Sequence, residues 1–159
     1  MSHQPLTPGN RERQLLEGCK LLDPILLPFG FAFELVGAGA GSGGPAAHGF
    51  YARDDRRLDL HVRWNLGLVS YTLDGLELSH ADFMLGVAAG ANAYPGVSDD
   101  PQIAFAHLAS DLERFGTDFI SGSGDEFRRC YREVEGLSGM SGFKRMEERA
   151  RRQRGESQR

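Results

Sequence analysis

The chain has 159 residues, 40% of them hydrophobic, and a formal net charge of −4, which is length enough for one core burying roughly two-thirds of the unfolded chain's surface. No apolar run reaches the roughly 20 residues of a membrane-crossing helix, and the opening MSHQPLTPGN has neither the basic start nor the apolar stretch of a secretory leader, so a cytoplasmic protein is expected. Cys19 and Cys130 are too few for a disulfide framework or a four-cysteine metal site, and are expected to be buried thiols.

The charge is uneven. From Phe143 to Arg159 there are seven basic and three acidic residues, whereas the preceding 142 residues carry 11 basic and 19 acidic ones. An acidic body argues against a nucleic-acid groove in the folded part, because phosphate contacts require clustered Lys and Arg. The basic tail is the one segment suited to nucleic acid, and its composition equally fits a solvated end. The expected organisation is a flexible N-terminus over 1–9, a single α+β domain over 10–142 and a mobile basic tail over 143–159.

In chain order, Leu15, Cys19, Leu22 and Leu26 share one helical face, so a helix is expected from about Asn10 to Leu27, disturbed at Pro24. Pro28-Phe29-Gly30 turns the chain into a short alternating strand carrying Phe31, Phe33 and Leu35. The Gly37–Gly44 patch is expected to be a mobile loop leading into a strand near Gly49 to Arg53, and Asp54-Asp55 supplies the next turn. Leu58, Leu60, Val62 and Trp64 alternate with Asp59, His61 and Arg63, and the alternation resumes with Val69, Tyr71 and Leu73, giving a sheet with one wet face. Asp74-Gly75 is a two-residue turn signal before a brief strand at Leu76 to Leu78.

Ser79 and Asp82 form a capping box for a helix to about Gly90, and Asp100-Pro101 opens another. That helix carries Phe105, Leu108, Leu112, Phe115 and Phe119 as one continuous apolar stripe, with Asp111, Glu113 and Asp118 read as lying off it. Ser123 and Glu126 repeat the capping pattern before a last helix from about Asp125 to Glu135. A leading helix, an antiparallel meander of about four to five strands and three trailing helices packed on one face make an α+β fold. The layout is similar in general style to small bacterial immunity and adaptor proteins.

The glycine patch lacks a phosphate-cradle context, since it leads into Pro45 and a strand and has no Gly-Lys-Ser/Thr ending. His61, His80, Asp82, Asp99, Asp100, His107 and Asp111 are the side chains from which acid–base or metal chemistry would be built. None has a metal-protease spacing, and there is no nucleophile elbow. From Asp99 to Glu126 seven acidic residues face one basic residue, Arg114. The leading expectation is therefore a protein-binding protein without cofactor or metal that captures a basic partner, such as a toxin or effector, through an acidic face made by Tyr94, Asp99, Asp100, Asp111, Glu113 and Asp118. The alternatives are a small enzyme or ligand-binding domain using the Gly37–Gly44 segment with His80 or His107, and a nucleic-acid-associated protein acting through its tail.

Overall fold

A computed structural model describes residues 8–41, 44–63, 65–87 and 100–137. Helix α1 (Pro8–Leu26) is followed by a 3-10 turn at Leu27–Phe29, then by strands β1 (Ala32–Gly41), β2 (Gly44–Arg53), β3 (Arg56–Val62), β4 (Leu66–Leu73) and β5 (Leu76–Ser79). Among the described residues four helices follow: α2 (His80–Gly86), α3 (Pro101–Phe115), α4 (Thr117–Ser121) and α5 (Asp125–Leu137). The fold is α+β, as the segregation of strands and helices requires. The strands form one antiparallel sheet in the order β1-β2-β3-β4-β5, each paired with its sequence neighbour.

Turn chemistry sets this register. Asp74 and Gly75 both take positive φ, 51° and 78°, the backbone that joins β4 to β5 through a two-residue turn whose twist matches its strands. At the end of α1 the left-handed Gly30 (φ 91°) returns its N–H to the Leu27 carbonyl and releases the chain towards the sheet.

Strand alternation then separates two faces. Tyr51, Leu58, Leu60, Val62, Val69, Tyr71 and Leu73 are buried, together with Leu15, Leu22 and Leu26 of α1 and Ala104, Phe105, Leu108 and Leu112 of α3. Rings from four elements meet at the centre: Tyr71 contacts Phe83 and Phe119 edge-on, and Phe83 contacts Phe127 in the same way. The Tyr51 hydroxyl lies 3.0 Å from the Cys19 carbonyl and 2.7 Å from Asp23 Oδ1, which fastens β2 to α1. Cys19 and Cys130 are buried free thiols, and burial pushes their pKa values up to about 12 and about 11.

The structure departs from the sequence expectations at three places. Most of the Gly37–Gly44 patch is strand: Gly37 to Gly41 belong to β1, Gly44 opens β2, and the two strands pair from Ala32↔Ala52 to Gly41↔Gly44 with an irregularity between Leu35 and Gly37, while Ser42 and Gly43 lie outside the described residues. A cross-strand partner supplies the order that glycine and alanine lack as individual strand formers. The apolar stripe from Phe105 to Phe119 is broken, because α3 ends at Phe115 and α4 begins at Thr117. The break is at Gly116, where a Cβ would lie 2.8 Å from the Leu112 carbonyl oxygen. Helix α1 begins at Pro8, inside the segment expected to be flexible, while Trp64 and the basic tail lie outside the described residues.

Candidate functional site

Of the six residues expected to form an acidic face, four are described, and one of these four is a free-standing surface carboxylate at a cavity. Tyr94 and Asp99 lie outside the described residues. Asp100 is the N-cap of α3, its Oδ1 accepting the Gln102 N–H at 2.9 Å.

Asp111 is 0% exposed, which overturns its placement off the apolar stripe. Its Oδ2 lies 3.0 Å from His80 Nε2, and the Tyr71 hydroxyl lies 2.6 Å from His80 Nδ1. A carboxylate offers only acceptors, so Nε2 carries the imidazole proton, and Tyr71 donates to Nδ1. Desolvation lowers the His80 pKa, opposed by the hydrogen bond and charge of Asp111. This chain of tyrosine, histidine and aspartate has the order of a catalytic relay, but Tyr71 and Asp111 are fully buried and His80 is 1% exposed. No substrate reaches it. Its role is to pin β4, the start of α2 and α3 together across the core.

Asp118 is also occupied, which again contradicts a free position on the surface. Its Oδ1 accepts the Gly124 N–H, and its Oδ2 accepts the N–H groups of Glu126 and Phe127 at 3.1 and 3.3 Å. The expected Ser123 cap is present as Asp125 N–H to Ser123 Oγ at 3.2 Å, but the charged acceptor at the α5 N-terminus is Asp118. Arg56, buried against the same loop, donates to the carbonyls of Asp118, Phe119 and Gly122 and was not singled out from sequence.

Glu113 remains. It is exposed and stands beside a groove of about 240 Å³ between the end of α1 and the α3–α4 corner. Leu112 and Ile120, both buried, line this groove together with Pro24, Ile25, Phe29, Thr117 and Ser121. Phe29 is 47% exposed, and Leu21, one helical turn before Ile25, is 41% exposed. Exposed apolar side chains thus continue from the groove along α1.

No family model, curated protein or solved structure matches this chain significantly. The assignment of a site therefore rests on the geometry of its own surface. Among the described residues no group of three or more His, Cys, Asp or Glu side chains could hold a metal ion, and no helix is long and apolar enough to cross a membrane.

The outward face of the sheet is the second polar surface. Glu34, Phe50, Asp59 and Ser70 form one cross-strand row, and Gly37, His48, His61 and Leu68 the next. The His48 and His61 rings stack with centroids 3.8 Å apart, and His48 Nε2 lies 2.9 Å from Asp59 Oδ1. Arg57 donates twice to Asp59, both bonds at 2.8 Å, and its guanidinium lies 3.7 Å from the Phe50 ring centroid. Burial disfavours the charged Asp59, but hydrogen bonds from Arg57 and His48 outweigh it and hold the carboxyl below its ordinary pKa. Arg57, Asp59 and His48 satisfy one another, and with the stacked His61 ring they make an ordered surface.

Proposed function

We propose that this chain is a protein-binding protein that captures a basic partner by seating a bulky apolar side chain in the groove at Phe29 while Glu113 receives a neighbouring Lys or Arg. The supporting observation is the position of Glu113, a solvent-exposed carboxylate beside an open apolar groove. Exposed apolar surface rimmed by polar groups marks interaction sites in monomeric proteins, and a groove of this volume is small for a drug-sized ligand but suits one or two side chains. The acidic balance of the body supports the choice of a basic partner, since complementary charge speeds encounter and excludes acidic competitors. In this reading the chain is a cytoplasmic, immunity- or adaptor-like bacterial protein, and its partner is a basic toxin or effector.

Selection from a random peptide library tests this directly. Wild type should enrich sequences in which a Leu, Met or Phe lies next to Lys or Arg, and Glu113→Lys should change the enriched charged residue to Asp or Glu. The same enriched set from both proteins, or none from wild type, would overturn the proposal.

A further inference from the structure

A separate cavity of about 330 Å³ opens at the β3–β4 end of the sheet, and none of its lining residues belongs to the groove at Phe29. His61, Arg63 and Asn65 contribute polar groups to it, and Ala46 and Leu68 contribute apolar wall. Arg63 N–H donates to the Asn65 carbonyl at 3.0 Å between β3 and β4, so His61 at the end of β3 and the two polar residues of the connection lie within five positions of one another. Leu68 lies opposite His61 in the strand register and is 52% exposed, so its side chain is accessible at the cavity.

The His61 ring is held in place before any ligand arrives. One of its faces is covered by His48, which is itself fixed by Asp59. The charge environment is tuned the same way. Burial, the neighbouring His48 and the charge of Arg63 depress the His61 pKa, only partly offset by Asp59, so a further anion is what this ring lacks to become protonated. Two nitrogen-bearing groups of positive or potentially positive character thus converge on a cavity that also offers apolar wall. A guanidinium recognises a carboxylate through paired N–H donors, and an imidazolium or an amide nitrogen adds a further donor.

We propose that this cavity binds a carboxylate attached to a short apolar group, with His61, Arg63 and Asn65 holding the carboxylate and Ala46 and Leu68 receiving the apolar part. The same chemistry is offered by a free branched-chain acid and by the C-terminus of a peptide ending in an apolar residue.

The test is a titration of the full-length protein with 4-methylpentanoate and with N-acetylleucine, followed by the His Cε1–H resonances in carbon–proton correlation spectra. The neutral 4-methylpentanamide serves as control. The expected result is a saturable shift of the His61 resonance with at least one carboxylate, a rise in the His61 pKa when it is bound, and no shift with the amide. Arg63→Gln, a substitution at an exposed turn position, should abolish saturation while leaving the other histidine resonances in place. Stronger binding of N-acetylleucine identifies a peptide end as the source, and stronger binding of 4-methylpentanoate identifies a free acid. Absence of saturation with both carboxylates, an equal response to the amide, or unchanged binding in Arg63→Gln overturns the proposal.

Discussion

Replacing Asp111 by leucine probes the buried network that ties the sheet to two helices. The substitution removes the acceptor 3.0 Å from His80 Nε2 while keeping a side chain of similar size in a fully buried position. Leaving the buried His80 N–H without its acceptor costs about 1–3 kcal/mol. Domains of this size shift by about 3 °C per kcal/mol, so the thermal midpoint should fall by about 3–9 °C. Changing His80 to phenylalanine as well removes the stranded N–H but leaves the Tyr71 hydroxyl without the acceptor it has at 2.6 Å, a residual penalty of about 1–3 kcal/mol. Adding Tyr71→Phe removes that donor too, and the triple variant should recover most of the lost stability. Urea unfolding of the single, double and triple variants at pH 7, followed by circular dichroism, measures each step. A cost below about 1 kcal/mol for Asp111→Leu, or a triple variant no more stable than the single one, would refute the view that these side chains act as one coupled unit.

Three further outcomes follow from the same contacts. Because the folded-state pKa of His80 is depressed below its ordinary value of 6.5, the unfolded chain takes up a proton that the native state refuses, so the stability present above pH 6.5 should be lost as pH falls through the folded pKa; urea midpoints measured downward from pH 7 should fall less steeply in the triple variant than in wild type. Gly18→Ala should destabilise, although alanine is about 1 kcal/mol better than glycine within a helix, because its Cβ would sit 2.2 Å from the Phe105 ring; a raised thermal midpoint would show that Phe105 can move aside. Asp118→Ala should cost about 1–2 kcal/mol in urea unfolding by removing the acceptor for three backbone N–H groups at the start of α5, and Ser123→Ala should cost less because it removes one.

The strands, their turns and the helix starts were legible because their causes are local. Period-two alternation from Leu58 onward, Asp74-Gly75, and the Ser79 and Asp100 caps each act within a few residues. The site was less legible because charge alone does not report where a carboxylate is used. Asp111 follows Ala104 and Leu108 at spacings of four and three, all three buried, so its place on the core face was available in the helical period but was masked by its charge. The need for a partner such as His80 arises only once α2 packs against α3. Asp118 caps a helix that begins seven residues later, across a turn whose path depends on Arg56 of β3, and no local signature encodes that. The glycine patch misled for the opposite reason, since composition suggested a loop where pairing with β2 imposes a strand.

The central claim is that Glu113 and the groove at Phe29 select a basic partner together, and a charge exchange tests it most directly. Fluorescence anisotropy should be measured for wild type and Glu113→Lys, each against two peptides that share one anchoring leucine and differ only in a neighbouring Lys or Glu. The account predicts that wild type prefers the Lys peptide and Glu113→Lys prefers the Glu peptide, with both preferences weakening at high salt, and that Phe29→Ala loses about 2 kcal/mol or more of binding with either peptide. Affinity for the two peptides that is equal in wild type, or unchanged when residue 113 is reversed, would contradict it.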